Sequence, residues 1–195
     1  MKPLLIYNGH IINPSQGVDE IGSLLLREDK VVWQGRGTPP HPDYAVLDAQ
    51  GMVVCPGFID CHCHLRQPGE EGKETIATGT QAAARGGFTT VCCMPNTKPP
   101  LDNKAIIDYV KSVAAKEGAI RVLPIGCVSR GRKGEELADM EELAAAGVIG
   151  FSDDGAPVSS TEVMRQALEK SCKLGLPIIN HCEDLALSKE GQMNA

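Results

Sequence analysis

The chain has 195 residues, 42% of them hydrophobic and 23% charged, which is ordinary globular composition and excludes a disordered tail. A formal net charge of −6, with no Lys/Arg-rich run, argues against a nucleic-acid partner and for a small-molecule substrate. The first apolar stretch, Leu4-Leu5-Ile6-Tyr7, is too short for a secretory signal, and no run reaches the ~20 apolar residues of a spanning helix. The expectation is a cytoplasmic protein with no membrane partner. Cys92 and Cys93 are adjacent, and Cys61 and Cys63 lie in a strand-like run. That placement fits reduced, buried thiols better than a disulfide framework.

In chain order, residues 1–56 read as short strands punctuated by Gly, Pro, Asn and Asp: Leu4–Tyr7, Ser23–Leu26, Lys30–Trp33 and Tyr44–Leu47. This is a small β-rich domain. Residues 57–195 alternate apolar strands and amphipathic helices, with strands near Phe58–Cys63, Thr89–Cys93, Arg121–Cys127, Ile149–Ser152 and Pro177–His181. Helices fall near Lys73–Arg85, Asn103–Glu117, Glu135–Ala146 and Thr161–Leu174. In the second helix Ile106, Ile107, Val110, Val113 and Ala114 share one face. Ser159 with Glu162 resembles a capping box for the fourth helix and Asp102 suits the cap of the second. Gly118, Gly147 and Gly175 suit left-handed stops.

Alternating β and α units imply an α/β fold with parallel strands, either an open doubly wound sheet or a (β/α)₈ barrel of the TIM type. No GxGxxG or P-loop is present, and reactive residues fall at the C-terminal ends of several strands, which in a barrel converge on one mouth. Five strands and four helices make a partial barrel, truncated relative to the eight units a barrel needs. The 195 residues alone are therefore expected to be poorly stable or to aggregate.

The strongest chemical signal is Pro56-Gly57-Phe58-Ile59-Asp60-Cys61-His62-Cys63-His64. Period-2 alternation would put Asp60, His62 and His64 on one face and Cys61 and Cys63 on the other, outward under the helix layer. Two imidazoles side by side can hold one zinc ion; otherwise they are a packed pair. His181 ends the fifth strand, and Asp153-Asp154-Gly155 ends the fourth. A carboxylate there can bridge two metals, although Asp-Asp-Gly is also a common turn. A rival thiolate cluster of Cys55, Cys61 and Cys63 has the wrong ligand spacing for structural zinc.

Asp60 through Gly69 (DCHCHLRQPG), Lys73-Glu74-Thr75-Ile76, Gly86-Gly87-Phe88-Thr89-Thr90, Met94-Pro95-Asn96-Thr97, Asp153-Asp154-Gly155 and Asn180-His181-Cys182-Glu183-Asp184 together resemble the dihydroorotases, from about Asn8 to the last residue. The resemblance implies a zinc-dependent cyclic amidohydrolase with two Zn²⁺ per site, catalysing reversible hydrolysis of L-dihydroorotate to N-carbamoyl-L-aspartate in pyrimidine synthesis. It implies His62 and His64 on the first zinc, His181 on the second, and Asp154 as the bridge with Asp153 as fallback. It also implies that Arg66 and Asn96 clamp the substrate carboxylate, and that the small β domain is a composite of both chain ends. Hydantoinase relatives bridge their metals with a carboxylated lysine, and no lysine lies near the end of the fourth strand. The family's general acid/base aspartate and a further zinc-binding histidine would follow Ala195, so the 195 residues alone are expected to be inactive and to bind zinc weakly. Homodimers or a complex with aspartate transcarbamoylase are the implied assemblies. Alternatives are an allantoinase or hydantoinase, or a non-catalytic dihydroorotase-like companion of the transcarbamoylase.

Overall fold

The computed structural model describes residues 2–39, 43–188 and 191, with no placement of the Leu185 and Ala186 side chains. The chain divides into two compact units, Met1–Gly57 and Phe58–Ala195.

In the first unit, β1 (Leu4–Asn13) and β2 (Val18–Arg27) pair antiparallel, and β3 (Lys30–Gly35) pairs antiparallel with β2. The strands β4 (Ala45–Asp48) and β5 (Val53–Val54) both run parallel to β1. Leu5, Ile11, Leu25 and Ser23 are buried in this sheet. The first three predicted strands are present and longer, the fourth is shifted by one residue at the same length, and β5 escaped sequence reading because two residues carry no period.

In the second unit, β6 (Phe58–Cys63), β7 (Phe88–Cys93) and β8 (Arg121–Pro124) form a parallel sheet in chain order. Its hydrogen bonding continues beyond these strands: Ile149 N–H donates to Pro124 O at 3.1 Å and Ser152 N–H to Gly126 O at 2.8 Å. Phe151 N–H donates to Pro177 O at 2.9 Å and Ile179 N–H to Phe151 O at 2.8 Å. The expected fourth and fifth strands are thus reduced to single parallel bridges, Gly126 to Phe151 and Phe151 to Ile178. All five segments still lie side by side in sequence order.

Four helices connect them: α1 (Ile76–Arg85), α2 (Lys104–Glu117), α3 (Met140–Ala146) and α4 (Thr161–Leu174), with a short α5 (Leu185–Ser188) after the fifth segment. Capping decides where they start. Thr75 and Thr78 close a reciprocal capping box at α1, and Asn103, not Asp102, accepts from Ile106 N–H at α2. Helix α3, capped by Asp139, starts at Met140, five residues inside the predicted start, and Ser160, not Ser159, caps α4. Gly147 and Gly175 are left-handed stops, whereas Gly118 is extended. One face of α2 is buried through Ile107 and Val110, with Ile106, Val113 and Ala114 partly covered. That layer also takes in Ile76, Leu143 and Phe151, all fully buried, and each such side chain contributes about 1.5–3 kcal/mol.

Candidate metal centre

The reactive residues gather where the parallel segments end. His62 is in β6 and His64 follows it; Asn96 follows β7, Asp154 follows the fourth segment, and His181 follows the fifth. C-terminal strand ends are where loops are free to build sites on such sheets.

Asp154 is the hub. His62 Nε2 lies 3.4 Å from its Oδ1, His64 Nε2 3.6 Å from its Oδ2, and His181 Nδ1 3.6 Å from Oδ1. These separations exceed the usual 2.7–3.2 Å of an N–H···O hydrogen bond. They match two atoms bound to one ion, because tetrahedral zinc with bonds of about 2.0–2.2 Å holds its ligands about 3.3–3.5 Å apart. His62, His64 and Asp154 place one ligand atom each within 4.8 Å of one another, and the two rings meet edge to face with centroids 5.2 Å apart. The donor set therefore fits a divalent cation of the zinc type. Asp154 is buried, and a buried carboxylate facing three imidazoles is stabilised by a shared cation.

Neighbours hold these side chains in place. Asn96 stands between His64 and Asp154: its Oδ1 is 2.9 Å from His64 Nδ1, and its Nδ2 donates to Asp154 Oδ2 at 3.1 Å. His181 Nε2 lies 3.1 Å from Glu183 Oε2, the carboxylate–imidazole pairing that orients metal-binding histidines. The Glu183 carboxyl is held below its usual range, first by the Ser188 hydroxyl and then by His181.

Asp153 faces elsewhere. Its Oδ1 accepts from Val128 N–H at 2.9 Å and Ser129 N–H at 3.2 Å, and its Oδ2 accepts from the Ser129 hydroxyl. Burial raises its pKa, and those hydrogen bonds oppose the rise. The Arg132 guanidinium donates from Nη2 to the Asp154 carbonyl. Glu183, Ser129 and Arg132 were missed by sequence reasoning, since nothing in their spacing announces their partners.

Two expectations about facing fail. The β6–β7 register pairs Asp60 with Val91 and Cys63 with Cys93, and the ladder is irregular between them, so Cys61 and His62 stand opposite Cys92 alone. Asp60 does not join the histidine cluster. It lines a cavity of about 240 Å³ with Cys63, His64, Gly79, Ala82 and Val91, and its Oδ1 accepts from His62 N–H. Cys63 packs in the helix-facing core as expected, and burial pushes the Cys63 and Cys93 thiols up to about 12. Cys61 is exposed and neighbours Cys92, which belongs to the opposite, inner cluster with Met94 and Ile125.

Arg66 turns to a carboxylate outside the cluster. At φ +57 it leans toward Glu70, with 3.8 Å from Nη1 to Oε2. Glu70 also gathers Lys73 at 2.8 Å and Lys98 at 2.9 Å, whose hydrogen bonds hold its carboxyl at about 2. The turn after Pro68 is pressed onto this loop: a Cβ on Gly69, at φ +93, would come within 2.0 Å of the Lys98 carbonyl oxygen. Only glycine fits there.

Parallel α/β architecture with imidazoles ringed around a carboxylate at the strand ends defines a protein with a candidate metal centre of hydrolytic type. A family model described as Dihydro-orotase-like matches residues 51–194, and the chain belongs to that family. A dihydroorotase of Geobacter sulfurreducens is 50% identical over 191 residues, covering 98% of this chain and 45% of that protein. A dihydroorotase of Aquifex aeolicus is 44% identical over 199 residues, covering 100% and 47%. The chain thus spans slightly under half the length of the curated relatives it matches. Among solved structures, the L-hydantoinase of Arthrobacter aurescens is similar with a TM-score of 0.83 at 21% identity, over 97% of this chain and 44% of that one. The D-hydantoinase from Thermus sp. has a TM-score of 0.76 at 27% identity, over 96% and 42%. No helix among the described residues is long and apolar enough to cross a membrane.

Proposed function

We propose that this chain forms part of a dihydroorotase, interconverting L-dihydroorotate and N-carbamoyl-L-aspartate in pyrimidine synthesis. The observation that carries the reading is the convergence of His62, His64 and His181 on Asp154 at metal-ligand separations, in a chain half identical to a dihydroorotase. His62 and His64 would hold one zinc ion and His181 a second, with Asp154 shared between them. Bound there, the ions would supply Lewis acidity for the ring amide and acidify the attacking water.

The chain's own residues prepare that chemistry. Asn96 locks His64 and Asp154 into one orientation, and Glu183 does the same for His181. Asp153 anchors the strand end through Val128 and Ser129, leaving the next residue, Asp154, to point at the imidazoles. Arg66 and Asn96 are proposed to clamp the substrate carboxylate, a task that suits a planar guanidinium with an amide beside it. To reach it, Arg66 would release Glu70, which keeps its two lysines.

The parallel segments in sequential order favour a partial TIM-type barrel, and the sheet of residues 4–54 favours a composite β domain. A cytoplasmic setting and assembly as a homodimer or with aspartate transcarbamoylase complete the proposal. The test is a substrate panel on the purified, zinc-loaded protein. Ring opening of dihydroorotate far above that of hydantoin or allantoin is the expected result. Preference for hydantoin would transfer the assignment to the hydantoinases, and turnover of none would reduce the protein to a non-catalytic companion.

A further inference from the structure

Asp154 sits in a turn. Asp153 O accepts from Ala156 N–H at 2.7 Å, and Gly155 takes φ +74, the sign that the third position of a type II turn requires. The Asp154–Gly155 peptide at the centre of such a turn has two settings, with its carbonyl to one side or the other, and glycine tolerates both. The setting matters to the metal centre, because the rotamers open to the Asp154 carboxylate follow the backbone angles of the same residue. The Asp153 carboxylate fastens the strand end before the turn, through Val128 and Ser129, and not the peptide at its centre. Arg132 grips that peptide: its Nη2 donates to the Asp154 carbonyl.

Arg132 is held there at a cost. Its backbone is left-handed, at φ +58, a conformation that disfavours side chains other than glycine. Its Nε is buried with no acceptor among the described residues, so that donor has given up water without a replacement. The loop that carries it is fastened on both sides of the residue: Gly131 N–H donates to Asp102 Oδ2 at 2.8 Å, and Gly134 N–H donates to Ser129 Oγ at 2.8 Å. Unfavourable features persist where the surroundings over-determine them, and they gather at functional sites. We propose that Arg132 is a positioning residue of the metal centre, holding the Asp154 carbonyl so that the carboxylate of the same residue stays aimed at His62, His64 and His181. The inference rests on the metal-centre reading.

The probe is cobalt(II), which accepts the same nitrogen and oxygen ligands as zinc, added to the purified metal-free protein. Visible absorption reports the ligand geometry, and competition with a chelator gives the affinity. Arg132→Ala should bind cobalt about tenfold more weakly, the low end for partners of metal ligands, and with a changed spectrum. Arg132→Lys should recover most of the affinity, because a single N–H makes the grip. Arg130→Ala, on the same loop and paired with Glu136, should match the unaltered protein. Should Arg132→Ala fail to fold, Arg132→Met removes the donors, keeps the stem, and is expected to show the same loss. Unaltered affinity and spectrum in the variant without donors, or a lowered melting temperature as its only change, would overturn the inference and leave the metal centre standing. Absence of cobalt from the His/Asp cluster of the unaltered protein would overturn both.

Discussion

The two faces of the parallel sheet differ sharply in closure. Toward the helices, Ile76, Ile107, Leu143 and Phe151 are fully buried and the layer is continuous. On the inner face, among the described residues, the buried apolar cluster is Cys92, Met94 and Ile125, with Leu123, Ile149 and Ile179 partly covered around them. Helices α1 and α2 pack against β7 and β8, the strands that follow them. The inner side chains of a parallel sheet need cover of their own, which in the proposed barrel comes from strands across the axis. The His/Asp cluster sits where the parallel segments end, so the stability of the fold and the proposed chemistry rest on different layers.

The contrast can be broken first from the helix side. Phe151→Ala should cost about 3–5 kcal/mol, read as a lowered denaturation midpoint, because its ring is fully enclosed. A loss under 1 kcal/mol would mean the layer is not packed as described. Next come the two aspartates. Asp154→Asn should lower metal affinity by at least about 100-fold, since even outer partners of metal ligands are worth about 10–100-fold. Asp153→Ala should leave metal binding near normal and cost about 1–3 kcal/mol of stability by stranding the Val128 and Ser129 donors. Metal titration and thermal melts on both variants separate the roles, and interchange of the two outcomes would reverse the assignment.

On the inner face, Ile125→Ala should cost about 2 kcal/mol, the low end for such truncations, because its surroundings are partly open and can relax. A cost equal to that of Phe151→Ala would remove the distinction between the layers. The smallest effect is expected at Glu70. Its carboxyl is held at about 2, below the usual 4.5, by Lys73 and then Lys98. A depressed folded-state pKa adds stability above the unfolded value and loses it as pH falls through the folded one. Loop anchoring by Glu70 should therefore weaken between about 4.5 and about 2. Glu70→Gln should remove that part of the acid sensitivity, seen as a flatter stability profile there.

How far the sequence was legible depended on whether a feature is local. Helix α4 and strand β6 begin and end where periodicity puts them, and His62, His64 and Asp154 meet as expected. Helix α3 starts late because Asp139, not the residues near Glu135, supplies the cap. The fourth and fifth strands shrink to single bridges because apolar runs report burial and not ladder length. Strict alternation put Asp60 with the histidines, and the irregular β6–β7 register, invisible in one strand alone, moved it away. Arg132, Ser129 and Glu183 act through contacts made only when distant or turn-forming segments close.

Anomalous diffraction at the zinc absorption edge from crystals of the zinc-loaded protein tests the centre most directly. Two peaks flanking the Asp154 carboxylate, one against His62 and His64 and one against His181, are the expected result. Zinc held by cysteine sulfur, or no peak within bonding reach of Asp154, would contradict it.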